Sequence, residues 1–178
     1  MYMNSKRKRM YGIVAVAAAV ATSPAWAQAN EGPASDARIA AIVLSAEREE
    51  QHVADAEKLK FGTPLVWELA QRMSVDDGAI AREFRALAGE NDRTRKTSAA
   101  KDRFASLSGH DLEKAYVDGE VASHRQMLAE LDRHLIPSAT SEQMRQRLRE
   151  LRAVLAAQLE HAEYVQNLIT EPVSADPP

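Results

Sequence analysis

The sequence predicts an all-α protein, a four-helix bundle with one long crossover connection. Three observations predict it: a composition rich in helix formers, apolar residues at helical spacing in four segments, and a short–long–short series of connections. The chain has 178 residues, 45% hydrophobic and 28% charged, which suits one globular domain with tails. Aromatic residues make up 5%, with 7 Gly and 7 Pro, too few strand and turn formers for a sandwich or barrel. Cys is absent, which excludes disulfide scaffolds, thiolate metal sites, cysteine nucleophiles and lipid-modified cysteines.

Residues 1–27 read as a signal peptide. Lys6, Arg7, Lys8 and Arg9 form a basic start, Ile13 to Ala21 a short apolar run, and Ala25-Trp26-Ala27 a small-residue cleavage signature. The run is shorter than the roughly 20 residues that a spanning anchor needs, so cleavage and release are expected rather than retention. Cleavage after Ala27 takes Lys plus Arg from 23 to 19 and leaves Asp plus Glu at 26, so the net charge moves from −3 to −7. Such an acidic chain is a poor partner for nucleic acid or anionic lipid. No second long apolar segment follows, so a periplasmic protein without an integral membrane segment is expected, exported through a Sec-type leader.

Residues 28–35 form a polar spacer, and the bundle domain is expected over residues 36–170. The first helix runs from about Asp36 to Lys60, with Ile39, Val43, Ala46, Val53 and Ala56 on its stripe. Gly62 reads as its stop, Thr63 as the next N-cap and Pro64 as the first helical residue. The second helix, about Pro64 to Gly89, carries Leu65, Leu69, Met73, Ile80, Phe84 and Leu87. Ser108-Gly-His-Asp111 reads as a capping box opening the third, with Leu112, Tyr116, Met127, Leu131 and Leu135, stopped by Pro137. Thr140-Ser-Glu-Gln143 reads as a capping box for the fourth, with Met144, Leu148, Leu151, Leu155, Ala162, Val165 and Ile169. Residues 171–178, with three Pro, read as a disordered tail.

The outer connections of about three and five residues each imply an antiparallel hairpin. The middle one, Glu90 to Leu107, has about 18 residues. A helix of about 26 residues is about 39 Å long, and 18 extended residues reach about 60 Å. The connection can therefore run the length of the bundle and start helix three beside the start of helix two, the ferritin-like arrangement. A plain up-down-up-down bundle is the alternative.

Each stripe is interrupted by polar residues near its middle: Glu50; Asp76 and Asp77; Glu120 and His124; Gln158, with Glu160 and His161 close by. A buried carboxylate is costly unless paired or bound to metal. One shared interior layer follows, either hydrogen-bonded or holding a divalent transition metal. The candidate ligands are Glu50, Asp77, Glu120, His124 and His161. Among the helical stripes, the Glu-x-x-His spacing of ferritin-like dimetal sites occurs at Glu49–His52 in helix one. No other cofactor is indicated. The run Glu47, Glu49, Glu50 and the stripe Arg145, Arg149, Arg152 read as solvated faces, the arginines paired with Glu142 and Glu150. His110 and His134 read as helix-end residues, and Trp67 as a cover on the bundle seam. There is no phosphate loop, nucleophile elbow or Ser/His/Asp order, so no catalytic residue is named.

Met73-Ser-Val-Asp-Asp77, Leu107-Ser-Gly109 through Ala115-Tyr116-Val117, and Val121-Ala-Ser-His124 resemble the exported domain of unknown function 4142 family. The resemblance covers about Asp36 to Ile169 and implies a leader followed by a ferritin-like four-helix domain. Glu50, Tyr116 and His124 match the family's helix-one Glu and helix-three Tyr and His. Asp77 stands where the family has a helix-two His, Ser123 where it has Asp, and Gln158 where it has a helix-four His. The expected function is therefore a non-catalytic binding or envelope-stress role. The alternatives are a degenerate ferritin-like metal-binding protein, and a periplasmic chaperone or sensor displaying a large exposed apolar patch. An envelope protein or a second copy of the chain is the expected kind of partner.

Overall fold

The computed structural model describes residues 35–89 and 104–170. The expected leader, spacer, tail and most of the middle connection lie outside the described residues. Within them all regular structure is helical: α1 is Asp36–Glu57, followed by a 3-10 turn at Lys58–Lys60, and α2 is Pro64–Ala88. Helix α3 is Gly109–Glu130, extended by a π turn at Leu131–Leu135 and a last α turn at Ile136–Ser138, and α4 is Glu142–Thr170.

Two polar anchors fix the topology. Glu113, in the second turn of α3, accepts the N–H of Gly62 and of Thr63, both at 2.7 Å, and the Thr63 hydroxyl donates to it at 2.6 Å. The start of α3 therefore stands beside the start of α2. At the other end the Asp36 carboxylate accepts the N–H of Thr140 at 2.7 Å and of Ser141 at 3.0 Å, which sets the starts of α1 and α4 side by side. The order is up, down, down, up, as a crossover between hairpins requires. An up-down-up-down bundle would place the start of α3 beside the end of α2.

The core is split in two. Around the starts of α1 and α4, buried Ile39, Val43, Leu44, Phe84, Leu131 and Leu148 pack together. Around the starts of α2 and α3, Leu69, Met73, Leu112, Tyr116, Val117 and Val165 do so. Phe61 and Phe104 close this second end over the Tyr116 ring, at centroid distances of 4.9 and 6.5 Å.

The helix-end chemistry differs from the sequence expectation in five places. Gly62 does not adopt positive φ; Phe61 already has extended geometry, and Gly62 serves as a donor to Glu113. Thr63 is the N-cap, but its hydroxyl is taken by Glu113 and does not cap α2. Ser108 is the N-cap of α3 without a side-chain cap bond. For α4 the cap bond comes one residue later than expected, from Ser141, whose hydroxyl accepts the Met144 N–H at 3.1 Å. Pro137 lies inside the final turn of α3. Proline lacks the N–H for an i→i−4 bond and crowds the preceding turn; the π turn just before it is where the helix widens. Several expected core positions are also less covered: Ile80, Leu87 and Met127 are half-buried, and Ala56 is exposed.

Glu113→Ala removes three bonds to one carboxylate at the point where α3 meets the α1–α2 turn. It should cost about 2–4 kcal/mol by denaturant unfolding, since bonds to a charged acceptor are the stronger class. Leu131→Ala, at a fully buried position, should cost about 2–5 kcal/mol.

Candidate functional site: a buried acidic layer

Between the two apolar clusters every helix places a polar group inside. Helix α1 contributes Glu47, with Glu50 half-buried; α2 contributes Asp77; α3 Glu120 and His124; α4 Gln158. Glu47, Asp77, Glu120, His124 and Gln158 are 3%, 1%, 2%, 3% and 4% exposed. Helical phase explains the grouping. Glu120 and His124 are four apart on one face, as are Val43 and Glu47.

The hydrogen bonds form a chain across the bundle. His124 Nδ1 lies 2.8 Å from the Glu120 carbonyl oxygen, to which it donates. Its Nε2 faces the Gln158 amide at 3.4 Å, and the other end of that amide lies 3.2 Å from Asp77 Oδ1. The Glu120 carboxylate is 3.7 Å from His124 Nδ1. Gln158 Nε2 donates to Asp77 Oδ1, and Gln158 Oε1 is the amide atom that faces His124 Nε2.

Asp77 nevertheless holds a proton readily. Burial first, then the charges of Glu47 and Glu50, push its carboxyl up to about 9, although the Gln158 bond acts the other way. Burial, Glu50 and Glu120 push Glu47 up to about 8. Burial and the Glu120 carboxylate raise the Tyr116 hydroxyl well above its ordinary value. Glu47 Oε2 and Asp77 Oδ2 are buried with no hydrogen-bond partner.

Of the five expected ligands, four converge on this layer: Glu50, Asp77, Glu120 and His124. His161 does not join them. It is half-buried against Glu68 and Arg72 of α2, and burial followed by the Arg72 charge lowers its pKa. In the Glu49–His52 pair Glu49 is half-buried and His52 exposed. Asp76 is half-buried in a surface pair with Arg72, and Glu160 is exposed. Among the described residues no group of three or more His, Asp and Glu stands at metal-binding spacing. Glu47 is the residue that sequence reasoning placed wrongly, on a solvated face. Its position four residues after Val43 carries the signal that it is buried. On the outside, Arg145 and Arg149 pair with Glu142 as expected, whereas Arg152 pairs with Asp132 and not with Glu150. Such exposed pairs contribute little to stability. His110 and His134 are exposed at helix ends, and Trp67 is 42% exposed.

Two outcomes follow. Unfolded carboxyls release their protons near pH 4, whereas Glu47 and Asp77 keep theirs to about 8 and about 9. Between those limits the folded state binds more protons, so the contribution of these two groups to stability is full below about pH 4 and falls as pH rises. Thermal melts of chelator-treated protein should drop steadily from pH 5 to pH 8.5. Glu47→Gln and Asp77→Asn should each flatten the profile and raise the melt at pH 8.5, by at least about 1 kcal/mol or about 3–6 °C. Gln158→Ala leaves the facing atoms of Asp77 and His124 without their bridge, and should cost about 2–4 kcal/mol by urea unfolding.

No curated protein and no solved structure matches the chain. The model of one family, Domain of unknown function (DUF4142), matches residues 21–165, which contain all four helices up to the last turn of α4 and every residue of the acidic layer. The chain belongs to the domain of unknown function 4142 family, as the motifs around Asp77, Tyr116 and His124 imply.

Proposed function

We propose that this chain is an exported protein of the bacterial envelope that acts by binding and not by catalysis. Burial carries this reading. General acid–base chemistry needs the catalytic group within hydrogen-bond reach of its substrate, and Asp77, Glu120 and His124 are at most 3% exposed. The basic start, apolar run and Ala25-Trp26-Ala27 signature support export. No described helix is long and apolar enough to cross a membrane. The metal-binding alternative is favoured by one observation, the convergence of Glu50, Asp77, Glu120 and His124. The chaperone alternative draws on exposed Trp67, Val75, Tyr164 and Leu168, spread over α2 and α4.

Cell fractionation with intact-mass measurement tests export: the periplasmic species should begin at Gln28. A product that keeps Lys6 to Arg9 and pellets with membranes would overturn it. A deletion strain under envelope stress should be rescued by the wild-type chain and not by the Gln158→Ala variant. Rescue by Gln158→Ala would show that the layer has no part in the function.

A further inference from the structure

Helix α4 spends most of its circumference inside the bundle. Leu148, Leu151, Leu155, Ala162 and Val165 are buried. Gln158 meets Asp77 of α2 at 3.2 Å, while Gln166 and Arg152 meet Asp118 and Asp132 of α3 at 2.7 and 2.6 Å. The side left over carries Val154, Ala157, His161, Tyr164 and Leu168. Val154, Tyr164 and Leu168 are exposed large apolar residues that belong to neither apolar cluster. Ala157 is exposed as well, and His161 is half-buried. The steps between these five residues are three, four, three and four, which is the heptad seam of paired helices. A surface helix without a partner carries polar residues on its outer side instead. The seam runs for about 22 Å.

We propose that the outer face of α4, from Val154 to Leu168, docks a second copy of this chain through antiparallel α4–α4 pairing. A heptad seam is filled by a helix of the same spacing, and a two-fold pair uses one patch on both sides. A two-fold axis near His161, the middle of the five residues, sets Ala157 against the second copy's Tyr164, small against large. Charge complementarity selects the direction. Arg145, Arg147, Arg149 and Arg152 lie in the first half of α4, whereas residues 153–170 hold Glu160 and Glu163 and no Lys or Arg. Antiparallel pairing brings the arginine-rich end of each helix toward the glutamate-bearing end of the other; parallel pairing sets like charges together. The polar His161 at the centre of an otherwise apolar seam fixes the register, as a single polar seam residue does in coiled coils. One helix pair of this length is at the small end of specific interfaces, so a reversible dimer with a Kd of about 10–100 μM is expected. The pairing needs only the folded chain and holds whether or not the export and binding reading above does.

The test is sedimentation equilibrium of the untagged protein from about 5 to about 500 μM, a range that brackets the expected Kd. The expected result is a monomer–dimer equilibrium. The double variant Tyr164→Glu, Leu168→Glu should dimerise at least about tenfold more weakly, with the melt of the dilute monomer unchanged because both side chains are exposed. Val75→Glu, at an exposed position of α2 away from the seam, should dimerise as the wild type does. Direction is read by crosslinking. The chain has no Cys, so Val154→Cys and Leu168→Cys report without background. A short bis-maleimide should join the two variants to each other in preference to either with itself. A wild type that stays monomeric at the highest concentration overturns the proposal and leaves the face to a different protein. So does a dimer that the double variant leaves intact, or one that Val75→Glu weakens equally. Each Cys variant joining only to itself overturns the antiparallel arrangement. Fractionation and rescue do not enter these measurements, so failure of the export reading and failure of the pairing are separate results.

Discussion

Moving a carboxylate out of water is the constraint on which the rest of this bundle depends. Four helices meet it at one depth and meet it together. Asp77 gives an oxygen to Gln158, Gln158 reaches His124, and His124 is held by the Glu120 carbonyl one turn earlier in its own helix. Neither α2 nor α3 nor α4 can rotate without breaking this chain, because each contributes a group whose partner lies on a different helix or is fixed by one. The two apolar clusters supply the free energy of association. The layer between them fixes the register, a role attested for buried polar groups in coiled coils. A uniform apolar stripe would pack as well in several registers.

The layer does not set the up-down-down-up order. A side chain near the middle of a helix stays near the middle whichever way the helix runs, so the layer alone does not select a topology. That selection comes from the ends. The Glu113 carboxylate holds the turn between α1 and α2, and the Asp36 carboxylate holds the turn between α3 and α4. Each binds backbone N–H groups that a helix start would otherwise leave unsatisfied. Ends and middle are thus specified by different chemistry.

The helices, the hairpins and the crossover were legible in the sequence, because apolar spacing and connection length report directly on them. Ile39, Val43, Leu69, Phe84, Leu131, Leu148 and Leu155 are all buried as their periodicity requires. Most of the layer was legible too, since Glu50, Asp77, Glu120, His124 and Gln158 interrupt those stripes. Glu47 was not, because Ala46 beside it satisfied the stripe and an acidic run reads as solvated. His161 misled for a related reason. Three residues after Gln158 is 300° of helical rotation, about 60° away from it, which turns the ring toward α2. The end contacts were invisible because Asp36 and Thr140 are 104 residues apart, and no local pattern encodes such a pair.

That contact governs the order in which the chain can become complete. The first residue of α1 finds its partner only when residue 140 is available, and Asp77 finds Gln158 later still. A chain emerging from its N-terminus can form the first hairpin early. Its acidic seam stays open to water until the last helix arrives. Helix α4 therefore acts as the closing piece, and a ribosome that still holds it also holds the bundle unfinished. A bundle built this way is complete only once α4 is in place.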